Sequence, residues 1–120
     1  MGLADQQCIP CRGGTPPLTQ DQGEALLQKL DDGWRLNADG HLERVYSFSN
    51  FNHAMELANA VAEIADNENH HPDLHIAWGR CTVEIWTHKI EGLTESDFFF
   101  AAKADRAATS MTTGTERDTS

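Results

Sequence analysis

A histidine pair followed by a proline, His70-His71-Pro72, is the part of this sequence best suited to chemistry. A third histidine, His88, follows on a separate predicted strand, and Asp66 and Glu68 add negative charge that would raise the pKa of nearby imidazoles. Because the unperturbed pKa of imidazole lies close to neutrality, these side chains can donate or accept a proton at physiological pH. Such a group suits either an acid–base enzyme or a transition-metal site.

A metal site would need three or four ligands, here His70 or His71 together with His75 and His88. None of the ligand spacings that are typical of zinc sites occurs among these positions. We therefore expect no metal ion, and the pattern favours acid–base chemistry.

The three cysteines, Cys8, Cys11 and Cys81, are not expected to form a disulfide framework, because their number is odd and no signal peptide is visible. Cys8-x-x-Cys11 has no second cysteine pair to complete a zinc site, and no helix start follows it to lower a thiol pKa. This usage predicts a reducing, cytoplasmic compartment.

The composition is that of one globular domain with an acidic balance. The chain has 120 residues, of which 39% are hydrophobic and 23% charged, and its formal net charge is −10. That charge argues against binding to nucleic acids or anionic membranes, because both attract basic surfaces. No apolar run approaches the ~20 residues that a membrane span requires.

Glycine and proline recur in residues 1–17, which are predicted to form a flexible N-terminal arm. Residues 18–108 carry the periodic patterns and are predicted to form the folded domain. Residues 109–120 are polar without periodicity and are predicted to be disordered.

The first half of the domain reads as a helix followed by a hairpin. Thr19-x-x-Gln22 is a capping box that predicts a short first helix. Trp34 to Asn37 and Leu42 to Phe48 are predicted to be strands. Asp39-Gly40 between them is predicted to form the tight turn of a hairpin, because it supplies the positive φ that such a turn requires.

A long amphipathic helix should begin at Phe51, with Ser49 or Asn50 as its cap. Its predicted apolar face comprises Phe51, Ala54, Met55, Ala58, Val61, Ala62 and Ala65, and its polar face Asn52, His53, Glu56, Asn59 and Glu63.

Pro72 ends that helix and favours an extended conformation for His71. Strands from Leu74 to Trp78 and Cys81 to His88 should then pair around Gly79-Arg80, which places Leu74 near Ile85 and brings His70 and His71 towards His88. Thr94 to Asp97 caps a third helix through Phe98, Phe99 and Ala102. The predicted fold is α+β, in the order α-β-β-α-β-β-α, with one four-stranded, mainly antiparallel sheet and helices packed on one face.

Several of these residues also have ordinary structural interpretations. His41 and His53 are expected at surface or hydrogen-bonded positions. Asp97 falls where a carboxylate caps the third helix. Trp78 and Trp86 would serve as core or rim aromatics, or would stack on a flat heterocycle.

The combined pattern resembles the signature of the pterin-4a-carbinolamine dehydratases, carried here by Asp66, His70-His71-Pro72, Trp78, His88 and Asp97. The likeness extends over most of the chain, through Leu18-Thr19, Gly33-Trp34, Phe48 to Ala54, Asn69, Thr87 and Gly92 to Asp97. The order of elements is also that of the family, and the N-terminal arm looks like that of its bacterial members.

This resemblance implies dehydration of 4a-hydroxytetrahydrobiopterin to quinonoid dihydropterin and water, which recycles the cofactor of aromatic amino-acid hydroxylases. His70 and His88 would form the acid–base pair, in either order, and His71 would orient the pterin. Further substrate contacts are implied for Asp66, Pro72, Trp78, Thr87, Lys89, Ile90 and Asp97, the last of which would orient a histidine or bind the pterin. No cofactor is implied, because the lone pair of a ring nitrogen can expel the hydroxyl.

The resemblance also implies a homodimer or homotetramer and a functional link to an aromatic amino-acid hydroxylase. Phe98-Phe99-Phe100 is a candidate interface, because three consecutive aromatic residues of one helix cannot all face one small core. The alternative function is a non-catalytic protein-binding or assembly module on the same fold, which would have no need of three histidines together with Asp97.

Overall fold

The computed structural model of the chain describes residues 3–5 and 16–115, with side chains as far as Met111. The predicted element order is confirmed by α1 (Gln20–Leu27), β1 (Arg35–Leu36), β2 (Leu42–Ser47), α2 (Phe51–Glu68), β3 (Asp73–Ala77), β4 (Arg80–Ile85) and α3 (Glu95–Thr115). Two short 3-10 helices lie at Leu3–Asp5 and His88–Ile90. No helix within the described part of the chain is long and apolar enough to cross a membrane.

The four strands form one antiparallel sheet in the order β1-β2-β4-β3. Alternate residues of β2 and β4 are buried, and α2 and α3 contact that face of the sheet. The core between the two layers includes Leu42, Tyr46, Leu57, Val61, Cys81, Val83, Ile85, Phe98 and Phe100. The α+β class with helices packed on one face is therefore confirmed.

The limits of the domain differ from the predicted ones at the C-terminal side. Helix α3 continues to Thr115, beyond the predicted end of the folded domain at residue 108. The first described segment, Leu3–Asp5, lies against α3, where Lys103 Nζ donates a hydrogen bond to the Ala4 carbonyl at 2.8 Å. Residues 6–15, which include Cys8 and Cys11 of the predicted arm, and residues 116–120 of the predicted tail lie outside the described residues.

The turn between β3 and β4 is one residue earlier than predicted. Ala77 pairs with Arg80, so the turn residues are Trp78 and Gly79, and Leu74 lies opposite Val83 rather than Ile85. The reason is that Gly79 takes the positive φ of +75°, a conformation that other residues rarely adopt. A side chain there would also approach the Phe48 carbonyl oxygen to 3.0 Å.

The buried face of α2 is rotated from the predicted one. His53 is 9% exposed, whereas Phe51 is 45% exposed. His53 precedes Leu57 by four positions and Val61 by eight, so all three lie on one side of a 3.6-residue helix. The expected cap is confirmed at Asn50, whose side chain accepts a hydrogen bond from the His53 backbone N–H at 2.8 Å.

Asp105 joins α3 to the first hairpin through three side-chain hydrogen bonds. Trp34 Nε1 donates to Oδ2 at 2.9 Å, and Arg44 Nη1 and the Tyr46 hydroxyl donate to Oδ1 at 2.9 and 2.5 Å. Burial and the neighbouring Asp105 raise the pKa of Tyr46 far above its usual value, so the phenol stays protonated and remains a donor.

Replacing Asp105 by alanine is expected to lower the free energy of unfolding by about 2–4 kcal/mol, because three donors lose a partly buried acceptor. Urea denaturation measures this change, with Glu63→Ala on the exposed side of α2 as the control. A loss no larger than that of the control would show that Asp105 does not stabilise the contact between α3 and the hairpin.

Candidate active site

Apart from Trp78, the predicted site residues lie at the end of α2, in the α2–β3 connection and between β4 and the first turn of α3, at one end of the sheet. Helix α2 ends at Glu68, and Asn69 takes a left-handed conformation (φ 53°), which a short amide side chain tolerates well. The His70 backbone N–H then donates to the Ala65 carbonyl at 3.1 Å. Because β3 and β4 are antiparallel, the residues just before β3 lie beside those just after β4.

Asp97, in the first turn of α3, is the centre of the site. Its side chain is fully buried, with Oδ1 2.6 Å from His70 Nε2. Its Oδ2 accepts hydrogen bonds from Thr87 Oγ1 at 2.8 Å and from the Thr94 backbone N–H at 2.9 Å. Asp97 therefore both caps α3 and orients a histidine, and the geometry favours the orienting role over direct contact with a ligand.

The contact with Asp97 also determines which nitrogen of His70 is available. A carboxylate only accepts hydrogen bonds, so Nε2 must carry a proton, and in the neutral ring Nδ1 is the nitrogen with a lone pair. The His70 side chain is 16% exposed, and its ring lies edge-on to Phe100 with 6.0 Å between centroids. His70 is thus oriented by a buried carboxylate and lies near the protein surface.

His71 has a different environment from His70. Its Nε2 lies 3.1 Å from Asp66 Oδ1, and the two side chains are 57% and 81% exposed. An exposed ion pair of this kind contributes little to stability. Both residues are open to solvent and can contact a ligand, while Glu68 instead lies 3.8 Å from Lys103 Nζ.

His88 is presented by a closed loop that follows β4. The Thr87 backbone N–H donates to the Gly92 carbonyl at 2.8 Å and closes the loop at its base. Within it, the 3-10 turn exposes His88 and Lys89 and half-buries Ile90. Thr87 thus links the loop to Asp97. Because Thr87 directly precedes His88, the Asp97 carboxylate contacts His70 on one side and the residue next to His88 on the other.

The ring of His88 packs against Trp86, with 4.3 Å between centroids and planes at 87°. It lines an open cleft of about 520 Å³ together with Asp39, His41, Trp86 and Glu91. His70 and His71 are not among the residues that line this cleft. The prediction that all three imidazoles bind one bicyclic ligand stays a prediction.

Trp78 is predicted as a substrate contact, but the structure places it elsewhere. It lies at the tip of the β3–β4 hairpin and is 71% exposed. His70 precedes the opposite end of β3, and a five-residue strand spans about 16 Å. Trp78 and His70 therefore lie at opposite ends of β3 within one chain, and the contact of Trp78 with the substrate stays a prediction.

His41 is the neighbour of the site that sequence reasoning missed. Its ring stacks on Trp86 with 3.9 Å between centroids and 3° between planes, and its Nδ1 lies 2.7 Å from Glu84 Oε2. The signal was present in the register: Leu42 pairs with Ile85, so His41 precedes β2 directly opposite Trp86. The contact between His41 and Trp86 follows from the pairing of β2 with β4, two strands that α2 and β3 separate in the sequence.

Asp39, His41 and Glu84 form the group of possible ligands that the described residues bring closest together, with donor atoms within 4.8 Å of one another. Two of them already bind each other, and Asn37 Nδ2 also donates to Glu84 Oε2 at 2.8 Å. A cation would have to displace these hydrogen bonds. None of the histidines of the predicted metal alternative belongs to this group.

Glu84 makes stability depend on pH. Burial raises the pKa of Glu84, but hydrogen bonds from His41 and Asn37 outweigh it, and the pKa lies below its usual value of 4.5. The carboxylate therefore contributes stability that is present above pH 4.5 and is lost as the pH falls through the lower folded value.

The Tm of Glu84→Gln is therefore expected to lie below that of the wild type at neutral pH, and the difference should shrink as the pH falls below 4.5 towards pH 3. Thermal denaturation across this range measures it, and Glu63→Gln on exposed α2 surface is the matched control. A Tm difference that stays constant down to pH 3 would contradict the assignment to the Glu84 carboxylate.

Comparison with known proteins decides the family. The family model described as pterin 4 alpha carbinolamine dehydratase matches residues 16–107. This chain belongs to the pterin 4 alpha carbinolamine dehydratase family. The resemblance inferred from the histidine pattern is thereby confirmed, and the matched range contains every candidate site residue from Asp66 to Asp97.

Relatives of the family are similar over nearly their whole length. A provisionally named pterin-4-alpha-carbinolamine dehydratase from Rickettsia bellii is 54% identical over 103 residues, which are 86% of this chain and 91% of that protein. One from Rubrobacter xylanophilus is 49% identical over 104 residues, covering 87% and 96% of the two chains.

A solved structure supports the same family fold. The transcriptional coactivator/pterin dehydratase from Brucella melitensis aligns with a TM-score of 0.72 at 30% sequence identity. The alignment covers 78% of this chain and 99% of that one.

Proposed function

We propose that this chain dehydrates a 4a-hydroxytetrahydropterin to the quinonoid dihydropterin and water, and thereby recycles the cofactor of an aromatic amino-acid hydroxylase. Membership of the pterin 4 alpha carbinolamine dehydratase family supports this reaction class. The observation that carries the proposal for this chain is the buried Asp97, which holds His70 at 2.6 Å and the residue before His88 at 2.8 Å.

The reaction needs one acid and one base. The lone pair of the adjacent ring nitrogen forms a double bond to carbon 4a as the bond from that carbon to the hydroxyl breaks. The leaving hydroxyl takes a proton from the acid to form water, and the base takes the proton of the ring nitrogen. Each proton transfer by a positioned imidazole contributes roughly 10²–10⁴-fold to the rate.

The contact with Asp97 favours His70 as the base. Its Nδ1 can accept a proton, and the imidazolium that forms would be stabilised by the buried carboxylate at 2.6 Å. His88 is exposed and bonds no carboxylate in the contacts described above, which suits it to donate a proton and regain one from solvent. His71, exposed beside Asp66, is proposed to orient the pterin.

The direct test follows the dehydration of racemic 4a-hydroxytetrahydropterin by absorbance, with and without the protein. The proposal expects saturable acceleration over the rate in buffer. A folded protein that leaves the buffer rate unchanged would exclude the proposed reaction.

A second candidate function is an assembly module on the same fold. It is favoured by the name of the Brucella melitensis structure, which combines transcriptional coactivator with pterin dehydratase. Titration with a stable oxidised pterin separates the two, because a module without a working site would show no saturable binding, whereas the dehydratase would.

A further inference from the structure

The rings of His41, Trp86 and His88 form a row beside the candidate active site. Of the three, only His88 is predicted to take part in the reaction. His41 lies parallel to Trp86, with centroids 3.9 Å apart, and Trp86 meets His88 at 87° with centroids 4.3 Å apart. All three rings line the same open cleft. Trp86 is thus held between two imidazoles from different parts of the chain.

The ring of His41 is held in place by its own hydrogen bonds. His41 Nδ1 lies 2.7 Å from Glu84 Oε2, and the two side chains are only 15% and 14% exposed. Asn37 Nδ2 donates to the same carboxylate oxygen at 2.8 Å, and Asn37 Oδ1 accepts from the His41 backbone N–H at 3.0 Å. The plane of the His41 ring therefore follows from backbone and side-chain contacts that do not involve His88.

Within the described part of the chain, no carboxylate contact supports the ring of His88 in the way that Glu84 supports His41. It is exposed and lies on a 3-10 turn of three residues, whereas His70 is bonded to a buried carboxylate. Among the ring contacts of the described residues, the one made by His88 is with Trp86. An exposed side chain with few contacts samples several rotamers, and a catalytic group loses rate when it is displaced by even 1 Å.

We infer that His41 is a positioning residue, which holds Trp86 in the plane against which the ring of His88 packs. This inference rests on the proposed function, in which His88 transfers a proton. The Glu84–His41 pair would act on the reaction only through Trp86. The role requires a flat ring at position 41 and does not require an ionisable one.

The test compares three variants, His41→Ala, His41→Leu and His41→Phe, with His75→Ala as the control on exposed β3 surface. Loss of the flat ring in the alanine and leucine variants is expected to lower kcat about tenfold with little change in KM, because the pterin contacts remain. The phenylalanine variant restores the stack and is expected to stay within about threefold of wild type. Equal kcat in the leucine and phenylalanine variants would overturn the inference.

A spectroscopic readout tests the same geometry without turnover. A ring proton of His88 packed against Trp86 feels the indole ring current, so its NMR resonance should move towards the random-coil position in His41→Ala and His41→Leu and return in His41→Phe. His75→Ala should leave it in place. An unchanged His88 resonance in all variants would overturn the positioning role, whereas an inactive wild type with the expected resonance changes would overturn the proposed function alone.

Discussion

Replacing both His70 and His88 by alanine is expected to reduce kcat for carbinolamine dehydration by at least about 10³-fold, towards the rate in buffer. The physical reason is that the variant retains neither the acceptor next to Asp97 nor the donor in the Thr87–Gly92 loop. Each single variant should lose roughly 10²–10³-fold, and the losses need not add if the two groups act in one step.

Steady-state kinetics on racemic substrate measures these losses, and His71→Ala is the matched control. His71 is exposed, and its ring contacts the exposed carboxylate of Asp66. Its replacement should therefore mainly raise KM and leave kcat within a few-fold of wild type. Turnover by the double variant at the wild-type rate would contradict the assignment of acid–base roles to His70 and His88.

Replacing Asp97 by asparagine is expected to lower kcat about 10²-fold or more while the protein stays folded. Oδ2 accepts from both Thr87 and Thr94, so the amide oxygen should take that position and its NH₂ group should face His70. His70 Nε2 must then become an acceptor, which moves the proton to Nδ1 and removes the lone pair needed for the reaction.

Nitrogen-15 NMR of the imidazole rings measures this exchange of protonated nitrogens together with the kinetics. Asp66→Asn is the control, because Asp66 bonds an exposed histidine and its replacement should leave the His70 tautomer unchanged. A variant that keeps both the wild-type tautomer and wild-type kcat would show that Asp97 serves only as the cap of α3.

The local patterns of this sequence predict the elements well, because their causes are local. Thr19 and Gln22 form the predicted capping box, and Asn50 is the cap of α2. Prediction fails where the cause is a single backbone conformation or a long-range pairing. The positive φ of Gly79 places the hairpin turn one residue earlier than predicted, so that Trp78 is a turn residue and Leu74 lies opposite Val83.

In the candidate site, too, the contacts that the sequence did not predict are those between residues far apart in the chain. The connection between Asp97 and His70 joins residues far apart in sequence, and the family resemblance was needed to associate them. His41 was assigned an ordinary role because its partners, Glu84 in β4 and Trp86 just after it, are separated from it in sequence by α2 and β3. The register of β2 against β4, with Leu42 opposite Ile85, is the information that the sequence pattern alone did not provide.

Imidazoles from the α2–β3 connection and from the loop after β4 are proposed to contact one bound pterin. The most direct measurement follows the ring resonances of His70 and His88 by NMR during titration with a stable oxidised pterin. Both resonances are expected to move together and yield one Kd. Movement of only one of them, or of neither at saturating pterin, would contradict it.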